Sequence, residues 1–225
     1  ISYSPASVAD YAIMMMLMVL RQVKAISLRY MGQDYTMTGV RGRELPNMTV
    51  GIIGAGRIGV TIARHLSGFG CRLLYWNRSP KSEMDSLARY CPLEDLLRES
   101  DSVSLHLAAA PETTHFIDSS RLAQMKHGAV LINTARGQLV DSDALIAALE
   151  SKHLSGAALD VFEGDRHIYY RDHKNQMIVH HNMAILNAMP NVLMMPHAAY
   201  FTDQALEDMV HNSLQVAHDF FAQSK

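Results

Sequence analysis

The chain has 225 residues, with 20 Lys and Arg against 22 Asp and Glu and a formal net charge of −2. That balance offers no basic face for nucleic acid and no strongly acidic one for a basic partner, so neither is expected. Apolar residues make up 48% of the chain, enough for a substantial core, and the only two cysteines, Cys71 and Cys91, give no disulfide framework and fit a reducing, cytoplasmic compartment.

The sequence begins Ile1-Ser2-Tyr3-Ser4-Pro5 without Met, which reads as a fragment or a cleaved product. The apolar run from Ala12 to Leu20 is rich in Met and far shorter than the roughly 20 residues a membrane span needs. No basic leader precedes it, so neither a signal peptide nor a membrane partner is expected. Methionines here read as Leu substitutes in the core. Residues 7–30 read as one helix with Ser7 as N-cap. A glycine-rich, polar connection covers 32–47.

An apolar strand follows from Thr49 to Ile53 and ends in Gly54-Ala55-Gly56-Arg57-Ile58-Gly59, a G-x-G-x-x-G turn leading into a helix from about Val60 to Phe69. Gly54 suits the tight turn, Gly56 lets backbone approach a pyrophosphate, and Gly59 lets the helix pack close to the strand. The free N–H groups at the helix start favour a phosphate. Beyond this unit the expected order is a strand 72–76, a helix 93–99 after Pro92, a strand 102–107, a helix 119–126, a strand 129–134, a helix 141–151, strands 156–161 and 192–195, and a helix from Thr202 to about Gln223. The strands are continuous apolar runs alternating with helices, as in an α/β, doubly wound parallel sheet covered on both faces. The irregular stretch 164–191 is long enough to be functional or to hide short helices.

Strand 72–76 ends at Asn77-Arg78-Ser79, where an NAD site usually carries an acid for the ribose 2′-OH. An amide, a guanidinium and a hydroxyl suit a 2′-phosphate instead, so NADP is favoured over NAD. The twelve histidines show no ligand spacing and no metal is expected. His106 reads as lining the cofactor groove. His115, His127, His153, His211, His218 and the pair His180-His181 read as surface residues.

Three further segments end strands: Asn133-Thr134-Ala135-Arg136-Gly137, Ala158-Leu159-Asp160-Val161-Phe162-Glu163-Gly164-Asp165, and Pro196-His197-Ala198-Ala199-Tyr200. In an open α/β sheet ligands sit at the carboxyl ends of strands. Taken in this order with the glycine turn, these segments resemble the D-isomer-specific 2-hydroxyacid dehydrogenases over essentially the whole chain. The stretch through Met189-Pro190-Asn191-Val192 is similar to the branch holding D-lactate dehydrogenases, D-2-hydroxyisocaproate dehydrogenases and the VanH-type enzymes that supply D-lactate for vancomycin resistance. The last of these use NADPH.

The resemblance implies hydride transfer between NAD(P)H and a 2-oxo acid, giving D-lactate or a related acid. Arg136 would bind the substrate carboxylate and polarise its carbonyl. His197 would be the general acid, with Asp165 as its carboxylate partner. Asp160 would hold the nicotinamide carboxamide, and Tyr3 and Tyr200 would border the substrate. Gly54, Gly56, Arg57, Ile58 and Gly59 would hold the pyrophosphate, and Asn77, Arg78 and Ser79 the ribose. His106, Leu107, Ala108, Thr113, Thr134, Ala135, Arg136, His197 and Ala199 would complete the cofactor site. The family's usual Glu is Asp165 here, one methylene shorter, with Glu163 as a less favoured substitute. Its usual proline after His106-Leu107 is Ala108, which predicts a looser loop. Residues 7–200 would form the nucleotide-binding (Rossmann-type) domain, including a dimerisation-type helix 7–30 with a Met-rich face. Residues 1–6 and 201–225 would be a remnant of a substrate-binding domain, most of which is missing. A homodimer is expected. The competing expectation is a catalytically silent, NAD(P)-sensing protein of the corepressor kind.

Overall fold

The computed structural model describes residues 4–223. Seven strands form one sheet: β1 (Thr49–Ile53), β2 (Arg72–Trp76), β3 (Arg89–Tyr90), β4 (Ser102–Leu105), β5 (Ala129–Asn133), β6 (Leu154–Leu159) and β7 (Val192–Met194). The order is β3-β2-β1-β4-β5-β6-β7 and every pairing is parallel. The chain therefore winds outward from β1 to β3, returns to β4 on the other side of β1, and winds outward again. The switch point lies between β1 and β4, where a doubly wound sheet opens a crevice for ligand.

The apolar strand runs follow from cover on both faces. Helices α1 (Pro5–Leu20) and α3 (Arg57–Ser67) lie on one face, over a core that includes Met15, Met16, Val50, Ile52, Ile62, Tyr75 and Ile132. Helices α4 (Leu93–Glu99), α5 (Ser119–Gln124) and α6 (Ser142–Glu150) lie on the other, over Ile53, Leu97, Val103, Leu131, Leu145 and Leu159. Asp118 and Asp141 cap α5 and α6, each carboxylate accepting from the backbone N–H three residues on.

Several expectations need correction. The single helix 7–30 is two, α1 and α2 (Val23–Met31), bent by 64° at a break where Gln22 takes a left-handed φ of 52°. No Gly or Pro marks that break. It lets Lys24 turn back, where its ammonium donates to the carbonyls of Asn187, Met189 and Val192 at 2.7, 2.8 and 2.8 Å. Pro5 opens α1, and Ser4, not Ser7, holds the N-cap position, with the Ser7 hydroxyl donating to the Ser4 carbonyl. The two-residue edge strand β3 was not foreseen, being too short to show a pattern. The Met-rich face of α1 is core: Met15 and Met16 are fully buried.

The stretch 164–191 contains a 3₁₀ turn, Asp165–His167, and helix α7 (His181–Ala188). His180 is not a surface residue but the cap of α7: its Nδ1 accepts the Met183 N–H, and its ring meets Phe162 edge-on at 5.0 Å. Helix α8 (Asp203–Gln223) leaves the sheet and exposes Leu206, Val210 and Leu214 at four-residue spacing. Among the described residues no single helix is long and apolar enough to cross a membrane.

Candidate active site

At the switch point the three glycines differ in what they require. Gly54 has φ +101°, and a Cβ there would lie 2.5 Å from the His106 carbonyl oxygen. At Gly59 a Cβ would lie 2.0 Å from the Gly54 carbonyl oxygen. At Gly56 a Cβ would meet nothing within 4 Å, so this position opens onto the crevice just before the N-terminus of α3. That is the arrangement a pyrophosphate needs: two glycines close the turn and the third leaves room beside the helix start. Asn77, at the end of β2, is tied to the turn, its amide oxygen accepting the Ala55 N–H at 3.3 Å while its amide nitrogen donates to the Ser79 carbonyl at 3.0 Å. Arg78 and Ser79 are exposed beside it.

The crevice continues as a cleft of about 520 Å³. Its lining includes Ile58, His106, Leu107, Ala108 and Ala109 together with Thr134, Ala135, Arg136, His197, Ala199 and Tyr200. The Thr134 hydroxyl is buried without a partner in this lining. An orphaned buried hydroxyl beside an open glycine turn fits a bound dinucleotide that supplies the missing polar contact. His106 turns its Nε2 to the Ser104 hydroxyl at 2.8 Å, and burial pushes its pKa down to about 3. It is a neutral residue of the cleft lining.

Thr113 does not face the cleft. Its hydroxyl bonds to the Ala108 carbonyl, the Ala110 N–H and the Ala110 carbonyl at 2.9, 2.8 and 3.1 Å. It pins the loop after β4.

A second cleft of about 430 Å³ adjoins the first and shares Arg136, Arg166 and His197 with it. Asp165, Tyr169 and Tyr170 line it as well. Arg136 is exposed at the end of β5. Asn133 shapes its turn, accepting the Ala135 N–H and donating to the Arg136 carbonyl, both at 3.0 Å. Next to it a Cβ on Gly137 would lie 1.9 Å from the Phe162 carbonyl oxygen, so glycine there lets the Arg136 turn close against the segment bearing Asp165.

The structure thus gathers Arg136, Asp165, His197 and Tyr200 at the carboxyl edge of β5, β6 and β7. Tyr3 lies outside the described residues. Asp165 is buried and its Oδ2 accepts the Phe162 N–H at 3.3 Å; no hydrogen bond or ion pair joins it to His197. Glu163 is engaged elsewhere, its carboxylate 2.6 Å from His115 Nε2. His115 is therefore half of an ion pair and not a plain surface residue.

Asp160 has a different place from the one expected. It is fully buried, and its two carboxylate oxygens accept the Ala198 and Ala199 N–H groups at 2.9 Å each. Burial pushes its carboxyl above the usual range, while the two amides pull the other way. Its carbonyl also accepts the His197 N–H at 2.8 Å. In this arrangement Asp160 clamps the turn that carries His197 and does not line the cleft.

Sequence reasoning missed Ala109, Arg166, Tyr169 and Tyr170. The last three lie in a stretch with no periodic signal, and only the return of that stretch over β6 and β7 brings them to the cleft.

Fold and site together define a dinucleotide-binding domain of the doubly wound class, with a second cleft adjoining the one at its switch point. The family profile of D-isomer specific 2-hydroxyacid dehydrogenase, NAD binding domain, matches residues 13–199, and the chain belongs to that family. A D-specific alpha-keto acid dehydrogenase of Enterococcus faecalis is 43% identical over 220 residues, which are 98% of this chain and 67% of that protein. Among solved structures, a D-lactate dehydrogenase from Sporolactobacillus superposes with a TM-score of 0.92 at 39% identity, covering 95% of this chain and 64% of that one. A D-lactate dehydrogenase with NAD+ from Lactobacillus jensenii gives 0.88 at 32% identity, covering 95% and 64%. The chain thus spans about two thirds of the length of these relatives.

Proposed function

We propose that this chain is the nucleotide-binding part of an NAD(P)H-dependent enzyme that reduces a 2-oxo acid to a D-2-hydroxy acid, with pyruvate to D-lactate as the leading reaction. The observation that carries this is the meeting of Arg136, Asp165 and His197 from three successive strand ends beside a dinucleotide cleft.

A bound dihydronicotinamide would supply the hydride to the carbonyl carbon. Arg136 binds the substrate carboxylate with its planar fork and draws charge toward the carbonyl oxygen. His197 gives a proton to that oxygen and takes it back in the reverse direction. Asp165 lines the same cleft as His197, where its carboxylate adds a negative group to the reaction pocket. Asp160 fixes the His197 turn through three hydrogen bonds. Tyr200 borders the substrate.

For the cofactor, the absence of an acid at Asn77-Arg78-Ser79 supports NADPH, with NADH as the alternative. The Asn77 amide is already used by the turn, so Arg78 and Ser79 carry that preference. Residues 201–225, with the apolar stripe of α8, are read as part of a second, substrate-side lobe. The homodimer expectation no longer rests on the Met face of α1. It rests on α2 and its continuation, where Leu28, Tyr30, Met31, Tyr35 and Met37 are exposed. No specific observation favours the silent nucleotide sensor.

The first test is fluorescence titration with NADPH and with NADH. Tighter NADPH binding, lost in Arg78→Ala, supports the 2′-phosphate reading. Equal or tighter NADH binding removes it. Binding of neither overturns the proposed function of this domain.

A further inference from the structure

His197 and Tyr170 are both non-glycine residues in the left-handed region, at φ 57° and 64°. Residues with a Cβ hold that conformation only where their surroundings fix it. On the N–H side the fixing groups are known: the Asp160 carbonyl and carboxylate take the amides of His197, Ala198 and Ala199. On the carbonyl side the anchor is Tyr170, whose hydroxyl donates to the His197 carbonyl at 3.0 Å.

The rings repeat the pattern. Tyr170 lies 5.8 Å from the imidazole of His197, tilted by 36°, and Tyr200 closes on it at 6.1 Å and 85°. Tyr170 and Tyr200 also meet edge-on at 6.4 Å. The imidazole therefore stands in a corner made by two tyrosines. Asp165, expected to orient it, makes no hydrogen bond or ion pair with it.

We infer that Tyr170 is a positioning residue for His197: its hydroxyl anchors the His197 carbonyl and its ring covers one face of the imidazole, holding the left-handed turn that aims His197 into the cleft. This rests on the proposed role of His197 as the proton donor. Burial first, and then the Tyr200 hydroxyl, raise the Tyr170 phenol above its ordinary value, so the hydroxyl keeps its proton and remains a donor across the neutral range.

The test uses nuclear magnetic resonance on the 225-residue chain, with the His197 ring signals assigned by their loss in His197→Gln. Tyr170→Phe keeps the ring and removes the donor. It should speed hydrogen exchange at the Ala198 and Ala199 amides by about three- to tenfold, the effect of one lost hydrogen bond, and leave exchange in β1 and β4 unchanged. Tyr170→Ala should add a clear shift of the His197 ring signals. Unchanged exchange at Ala198 and Ala199 in Tyr170→Phe, or unmoved His197 signals in Tyr170→Ala, overturns the inference. Cofactor titration of the same samples keeps the two ideas apart. If the parent chain binds neither cofactor, the proposed function fails, while the exchange and ring signals still decide the role of Tyr170.

Discussion

Replacing Gly56 by Ala should leave the fold intact and remove cofactor binding, whereas Gly59→Ala should damage the fold itself. A Cβ at Gly56 meets nothing within 4 Å. The backbone there has φ −77°, which any L-residue adopts. Alanine is a poorer N-cap than glycine, but it also restricts the unfolded chain by about 0.4–1 kcal/mol in favour of folding. The two effects nearly cancel, so Tm should stay within a few degrees. The methyl group, however, projects into the space a pyrophosphate would occupy beside the α3 N-terminus. The Kd for NADH should rise at least about tenfold, roughly 1.4 kcal/mol. At Gly59 the added Cβ would sit 2.0 Å from the Gly54 carbonyl oxygen. Restoring ordinary contact means moving helix against strand by roughly 1–1.5 Å. Overpacking of that kind costs about 1–3 kcal/mol, and at roughly 2–4 °C per kcal/mol for a chain of this size Tm should fall by roughly 2–12 °C. Thermal melting by circular dichroism and fluorescence titration with NADH measure both quantities on each variant. Parent-like NADH affinity in Gly56→Ala would refute the placement of the pyrophosphate; an unchanged Tm in Gly59→Ala would refute the packing argument.

Three further outcomes are expected. Lys24→Met removes the ammonium donor shared by three carbonyls around the end of α7 and the start of β7, of which Met189 keeps the Val192 N–H; Tm should drop by a few degrees, for a cost of about 1–3 kcal/mol, with NADH affinity unchanged, and an unaltered melt would show that the ammonium is replaceable there. The Glu163 carboxylate, through its hydrogen bond, raises the pKa of His115. This pair therefore stabilises fully below the ordinary histidine value, and the contribution is lost as pH rises through the raised one. Both side chains are 40% exposed, so the contribution is at most about 1 kcal/mol. The Tm gap between the parent and Glu163→Gln should be visible near about pH 6 and close by about pH 9; a gap independent of pH would discard the ion pair. Finally, the 225-residue chain should bind cofactor and turn over pyruvate poorly, because the apolar stripe of α8 stands uncovered and the cleft is open to water. Robust turnover by the purified chain would show that no further lobe is needed.

Much of the architecture was legible because it depends on local rules. β1, β2 and α4 occupy the residues the sequence marked, since an apolar run bounded by glycine or proline leaves little choice of register. The glycine turn could be read because each glycine answers a separate steric demand. Arg136, Asp165 and His197 could be placed together because parallel strands all end on the same edge. The break at Gln22 was illegible: no residue there disfavours helix, and the bend exists because α2 swings aside and Lys24 finds carbonyls more than 160 residues away. His180 and Tyr170 were hidden for the same reason, in a stretch without periodicity.

By itself, then, the order of residues determined the strand–helix alternation, the nucleotide turn and the set of charged groups at the strand ends, all of which follow from spacing along the chain. Tertiary structure alone decided which of those groups touch. It turned Asp160 inward as a clamp on the His197 turn, gave Glu163 to His115, and stood Tyr170 over His197 in place of Asp165. A hydrogen bond is made or lost within a few tenths of an ångström, and that distance is set by how layers pack, not by the neighbours of a residue in sequence.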